Sequence, residues 1–295
     1  MHLNIEYITS LIGNEKLENG LYIVSTPIGN LSDITLRALR ILSSSDIIIC
    51  EDTRITRRLI TKFAIKTPLE SFHKFNSKKM IPKILGKLNK GRSVSLVSDS
   101  GTPAISDPGD DLIEQCTIKN IKVFSIPGPS APIASLVLSS FNNGHFTFRG
   151  FFPRDKKGRE SSILKIKESD CPIVYFETAK RIIKTFYFLK EKLGDCKIAF
   201  VRELTKKHEE VINAPISDIL HILENKNKIR GEITFIIKTQ KDQFKQNIGQ
   251  SEILEIAVNL KNEGLTISEI SKKISNDLEI SKRSIYQILI KNLKL

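Results

Sequence analysis

The residues best suited to chemistry lie in the run Ser98-Asp99-Ser100-Gly101-Thr102-Pro103-Ala104-Ile105-Ser106-Asp107-Pro108-Gly109. Two glycines, two prolines and five Ser/Asp residues in twelve positions continue neither a strand nor a helix. They make a stiff polar loop, longer than the roughly two to six residues of an ordinary strand-to-helix connection. The apolar run Val94-Ser95-Leu96-Val97 ahead of it reads as a buried strand, and residues 111–116 read as the start of a helix. Open α/β sheets bind their ligands in loops of this kind, beyond the carboxyl ends of strands. Two more Pro/Gly turns follow apolar runs: Thr26-Pro27-Ile28-Gly29-Asn30, and Pro127-Gly128-Pro129-Ser130-Ala131-Pro132. Three such tips in one half-chain point to a bound small molecule rather than three unrelated turns. The first turn holds a single glycine, so no dinucleotide G-x-G-x-x-G fingerprint is present.

A charged cluster accompanies them. Glu51-Asp52-Thr53-Arg54 follows the apolar strand Ile47-Ile48-Ile49-Cys50, with Arg57 and Arg58 one turn further on. Asp52 or Thr53 also reads as the N-cap of the next helix, and both roles are compatible. His73-Lys74-Phe75-Asn76-Ser77-Lys78-Lys79 interleaves basic and aromatic residues, as a surface that stacks bases and neutralises phosphates would. Residues 51–92 carry twelve Lys/Arg against three Asp/Glu, whereas residues 251–295 carry seven against six. A uniform compositional bias would not load one segment so heavily, so the net charge of +13 points to a polyanionic partner.

The elements that position these groups can be read in order. Leu21-Tyr22-Ile23-Val24-Ser25 is the first strand, and Ser32 or Asp33 caps the helix carrying Leu36, Leu39, Arg40 and Leu42. Leu69-Glu70-Ser71-Phe72 and Ile121-Lys122-Val123-Phe124-Ser125-Ile126 are further strands. Residues 149–159 read as a basic, aromatic-bearing linker into a helix. Strands at Ile173-Val174-Tyr175-Phe176, Ile198-Ala199-Phe200-Val201, Val211-Ile212 and Ile233-Thr234-Phe235-Ile236-Ile237 then make a mixed sheet, with helices over residues 181–192 and 216–223. Arg202 and Glu203, after the second of these strands, read as a mutual pair. Residues 240–250 form a polar linker. Three helices follow, Thr266-Ile267-Ser268-Glu269 being a capping box and Ser281 a cap, in an arrangement like a helix-turn-helix.

The bulk numbers fit this organisation. A chain of 295 residues has room for two cores. No apolar run approaches the roughly 18 residues of a membrane span. The first twenty residues lack a basic, apolar leader and read as an extension. Cys50, Cys116, Cys171 and Cys196 are scattered without C-x-x-C spacing, which suits the cytoplasm and suggests no metal site.

The motifs LYIVSTPIGN (21–30), EDTR (51–54), VSDSGTPAISDPG (97–109), PGPS (127–130), RGFFP (149–153) and RELTK (202–206) occur in this order. Together they resemble the bacterial family of ribosomal RNA small subunit methyltransferases I, within the tetrapyrrole-methylase superfamily. The resemblance covers residues 21–238, with a similar helical tail. It implies two α/β domains of the tetrapyrrole-methylase type, a mainly parallel sheet (21–143) and then a mixed sheet (144–240). An extension (1–20) precedes them and a helix-turn-helix-like segment (251–295) follows. It implies S-adenosyl-L-methionine in the cleft between the domains, and 2′-O-methylation of a cytidine ribose in the decoding region of 16S rRNA by a cytoplasmic homodimer. Carried onto this sequence, the cofactor contacts fall on Pro27, Gly29, Ser100, Thr102, Ile105, Ser130, Ala131, Glu177, Leu204 and Thr234. The first loop is poorer in glycine than in tetrapyrrole enzymes, which favours the RNA enzyme over a porphyrin or corrin methylase. A DNA-binding regulator is the remaining alternative.

Methyl transfer from a sulfonium needs alignment above all, and a ribose hydroxyl needs its proton drawn off. Glu51, Asp52 and Asp99 are candidate bases. Lys206 is either a base with a lowered pKa or a phosphate ligand. Arg54, Arg57, Arg58 and Lys74 are candidate contacts to the RNA backbone.

Overall fold

The computed structural model describes residues 16–141, 144–238, 250–278 and 282–292. Most of the expected extension and linker, and the cap at Ser281, lie outside them.

The first sheet is five-stranded and wholly parallel, in the order β3-β2-β4-β1-β5. Its strands are β1 (Gly20–Val24), β2 (Ile47–Cys50), β3 (Leu69–Ser71), β4 (Ser93–Val97) and β5 (Val123–Ile126). Each of β1, β2 and β4 is buried along its whole length. Successive residues serve opposite cores: Tyr22 and Val24 pack with Leu39, Leu42 and Ile60, whereas Leu21 and Ile23 pack with Ile84, Leu88 and Leu112. Helices therefore cover both faces, as parallel strands require. They are α1 (Leu36–Ser44), α2 (Thr53–Lys62), α3 (Ser77–Asn89) and α4 (Asp110–Ile118), while α5 (Ala131–Leu138) follows β5.

The second sheet is mixed, in the order β6-β7-β10-β8-β9. It comprises β6 (Thr147–Phe151), β7 (Ile173–Thr178), β8 (Lys197–Arg202), β9 (Glu210–Pro215) and β10 (Glu232–Ile237). One face packs on α6 (Lys156–Glu168), α7 (Ile182–Leu193) and α8 (Ile216–Glu224) through Phe186, Leu189, Ile219, Phe235 and their neighbours. The other face receives Leu136 of α5 against Val174, Ala199, Val201 and Ile236. The last helix of the first half thus joins the two sheets. The helices α9 (Gln250–Asn262), α10 (Ile267–Leu278) and α11 (Lys282–Asn292) share a core of Ile253, Ala257, Ile270, Ile274, Ile285 and Leu289.

Several details depart from the sequence reading. Thr35, not Ser32 or Asp33, caps α1 by accepting from the Ala38 N–H at 3.0 Å. A short 3-10 turn, Leu31–Asp33, intervenes and is capped by Asn30. Residues 147–151, expected within or before a linker, form an edge strand with an irregular register between Phe148 and Phe151. Arg202 does not pair with Glu203; it reaches Glu210 across β8 and β9 at 2.8 Å. The capping box of α10 is present, with the Thr266 N–H donating to Glu269 at 2.9 Å and the Glu269 N–H to the Thr266 hydroxyl. Asp52 is the N-cap of α2.

Candidate active site between the two sheets

The three Pro/Gly tips touch one another. Thr26 and Gly101 form an isolated antiparallel bridge, with N–H···O distances of 2.9 and 3.1 Å. The Ser25 and Thr102 hydroxyls lie 2.8 Å apart. A Cβ on Gly128 would fall 2.9 Å from Ser25 Cβ, so glycine lets the third tip close onto the first. These tips wall a cavity of about 350 Å³, whose opposite wall is the second sheet. That volume lies in the roughly 300–1,000 Å³ range of small-molecule sites.

Eight of the residues chosen from sequence line it: Ser100, Thr102, Ile105, Ser130, Ala131, Glu177, Leu204 and Thr234. Pro27 and Gly29 do not; Ile28 between them does. A Cβ on Gly29 would lie 2.5 Å from Lys206 Cγ and 2.8 Å from Thr205 Oγ1. Next to it, the Asn30 N–H donates to Thr205 Oγ1 at 3.1 Å. The missing side chain at Gly29 therefore lets the two halves approach. Phe151, Phe176, Val201 and Ile233, which no ligand-loop motif marks, make the cavity largely apolar, and Asp107 of the central loop lines it as well.

The loops around the cavity are held in unusual backbone conformations. Ala104 and Ser106 on one side, and Glu203 and Thr205 on the other, have positive φ of 53–72° without being glycine. Such residues each cost about 1–3 kcal/mol and persist only where the surroundings enforce them. Ile105 and Phe151 remain about half exposed at the cavity, apolar surface that a ligand would cover.

The acids behave differently from one another. Glu177 is buried, accepts from the Thr178 N–H at 2.7 Å and the Thr185 hydroxyl at 2.7 Å, and pairs with Arg181 at 3.2 Å. Lys206 is shared between Glu203 and Glu232, each at 2.9 Å. Burial pushes its pKa down, but these two carboxylates outweigh burial and the net shift is upward. Lys206 is therefore corrected from a candidate base to a cation that ties β10 to its neighbouring loop. Asp52 is corrected likewise: the Arg54 side chain holds its carboxyl down at about 2, too weak a base for a hydroxyl proton. Asp99 accepts the Asp52 N–H at 3.0 Å. Burial, followed by neighbouring acids, raises the pKa of both Glu51 and Asp99, yet neither lines the cavity.

Arg57, Arg58 and Lys74 are exposed, and Phe75 is 95% exposed beside Lys74. Arg54 is exposed too, but its guanidinium lies 2.6 Å from Asp52.

This is an α/β protein of two sheets, with a cavity where loop tips of the first face the strands of the second. The family model of tetrapyrrole (corrin/porphyrin) methylases matches residues 20–220, and the chain belongs to that family. It is 37% identical to the ribosomal RNA small subunit methyltransferase I of Rickettsia prowazekii, over 93% of this chain and 98% of the relative. It is 43% identical to the protein of the same name from Thermotoga maritima, over 74% and 97% respectively. Among solved structures, a diphthine synthase superposes with a TM-score of 0.60 at 13% identity, over 74% of this chain and 89% of that one. A cobalt precorrin-4 methyltransferase superposes with a TM-score of 0.54 at 17% identity, over 74% and 94%. The fold is therefore that of the tetrapyrrole methylases, and the chain is a methyltransferase that draws its methyl group from S-adenosylmethionine.

Proposed function

We propose that this enzyme methylates the 2′-oxygen of a cytidine ribose in the decoding region of 16S rRNA, on the small ribosomal subunit. The observation that carries this reading is a strongly basic segment in the same half of the chain as the loop tips that wall the cavity. The segment 51–92, with its excess of lysine and arginine, spans α2, β3 and α3, and β3 is the outer strand of the first sheet. Its acidic start at Glu51 and Asp52 adjoins the central loop through Asp99. Arg57, Arg58 and Lys74, all exposed, are the proposed contacts to the phosphate backbone. Relatives named for small-subunit rRNA methylation cover nearly the whole chain.

S-adenosylmethionine supplies an electrophilic methyl group. The chain supplies the fit. Polar groups of the central loop at Ser100, Thr102 and Ser106, and the N-terminal end of α5 at Ser130 and Ala131, offer donors and acceptors to its polar parts. Ile28, Ile105, Val201 and Ile233 offer apolar contact. Ser100, Thr102, Glu177, Leu204 and Thr234 complete the proposed cofactor site. We also propose a cytoplasmic homodimer; apolar Ile133 and Val137 of α5, left about half and two-thirds exposed, support a contact there. The test is methyl transfer from labelled cofactor to small subunits, 16S rRNA and a porphyrin precursor, with mapping of the modified nucleotide. One ribose-methylated cytidine in 16S rRNA is expected. Label confined to the porphyrin precursor would overturn the reading.

A further inference from the structure

Three carboxylates line the cavity, and two of them are neutralised. Glu177 is held by Arg181 and Thr185, and Glu232 by Lys206. Asp107 is the third, and among the described residues it has no ion pair; Ser98 is its hydrogen-bonding neighbour. It stands in the central loop between Gly101 and Gly109, next to Ser106 in the left-handed region (φ 72°). From this geometry we propose, resting on the RNA reading above, that Asp107 is the general base that takes the proton of the ribose 2′-hydroxyl. The O–H bond breaks and its proton passes to a carboxylate oxygen of Asp107. The ribose oxygen gains the methyl carbon as the carbon–sulfur bond breaks, and that electron pair stays on sulfur, leaving a neutral thioether.

The surroundings fit this role. Burial, then the charge of Glu51, raises the Asp107 carboxyl to about 6; Asp99 adds to this and Ser98 opposes it. The other charged groups nearby are His73, which faces Glu51, Arg54, which faces Asp99, and the paired Glu177, Glu232 and Lys206 across the cavity. A base so tuned is ionised at neutral pH and a better proton acceptor than an ordinary aspartate. The negative charges of Glu51 and Asp99 add to that basicity.

The experiment is single-turnover methylation of small-subunit rRNA between pH 5 and 8.5 by wild type, Asp107→Asn and Asp107→Glu, with cofactor affinity measured by calorimetry. The wild-type rate is expected to rise tenfold per pH unit below an apparent pKa of about 6 and then level. Asp107→Asn is expected to lose about 10²–10⁴-fold in rate with cofactor affinity within a few fold, and Asp107→Glu to recover part of the rate. A wild-type rate that is flat with pH, or an Asp107→Asn variant that keeps its rate, would overturn the assignment. So would loss of cofactor affinity at an unchanged pH profile, which would make Asp107 a partner of the cofactor's positive charge. Absence of any methyl on RNA from wild type would overturn the RNA reading, and this inference with it.

Discussion

Asp107 carries a cost that can be measured without substrate. Its folded-state pKa of about 6 exceeds the ordinary 3.8, so the folded chain binds a proton that the unfolded chain has already released. Stability therefore falls as pH rises from about 4 to 6 and stays lower above that window. Asparagine removes the penalty. The thermal midpoint of Asp107→Asn is expected to exceed wild type by about 2 °C at pH 8 and to match it near pH 4. An equal midpoint at both pH values would show that the carboxylate is not destabilised by its site. Among the candidate bases read from sequence, Asp52 fails because Arg54 claims it, and Lys206 fails because two glutamates claim it. The partner Glu203 is three residues from Lys206 and visible in the sequence; Glu232 arrives from another strand and is not.

The elements most legible in the sequence are those buried on both sides. Leu21-Tyr22-Ile23-Val24 and Ile47-Ile48-Ile49-Cys50 are continuous apolar runs closed by Pro/Gly or charged residues, and both are central strands. The edge strand β6 was illegible because Arg149 and Gly150 interrupt its apolar pattern, and α3 because Pro82 lies within it. The cavity was legible as three loops, but which residues face inward was not. Turn chemistry marks where a loop lies, whereas the Thr26–Gly101 bridge decides which way it points. Gly29 illustrates this: a glycine in a ligand loop reads as a contact, and the fold uses it for the approach of the Leu204–Lys206 turn. Gly29→Val is therefore expected to weaken cofactor binding at least tenfold by pushing the halves apart, without adding bulk to the cavity itself. Unchanged affinity by calorimetry would count against that packing role. On α2, Arg57→Ala with Arg58→Ala is expected to weaken RNA binding and lower the slope of log affinity against log salt by about 1–2, with cofactor affinity unchanged. An unaltered slope would move the RNA path elsewhere.

At the scale of the molecule, neither sheet makes the site alone. The first supplies stiff tips and a basic edge; the second supplies an apolar wall with two neutralised acids; α5, which follows the last strand of the first sheet, packs Leu136 on the second. Among the described residues no helix is long and apolar enough to cross a membrane. The helices α9 to α11 form a bundle of their own, and their near-balanced charge gives them little pull on a polyanion. The central claim is that S-adenosylmethionine binds where the loop tips meet the second sheet. Thr102 sits on that wall with its hydroxyl against Ser25, so an arginine there would fill the cavity. Calorimetric titration of S-adenosylmethionine into wild type and Thr102→Arg, both shown folded by circular dichroism, tests this most directly. One cofactor per chain should bind to wild type and none to the variant; equal binding by both would contradict it.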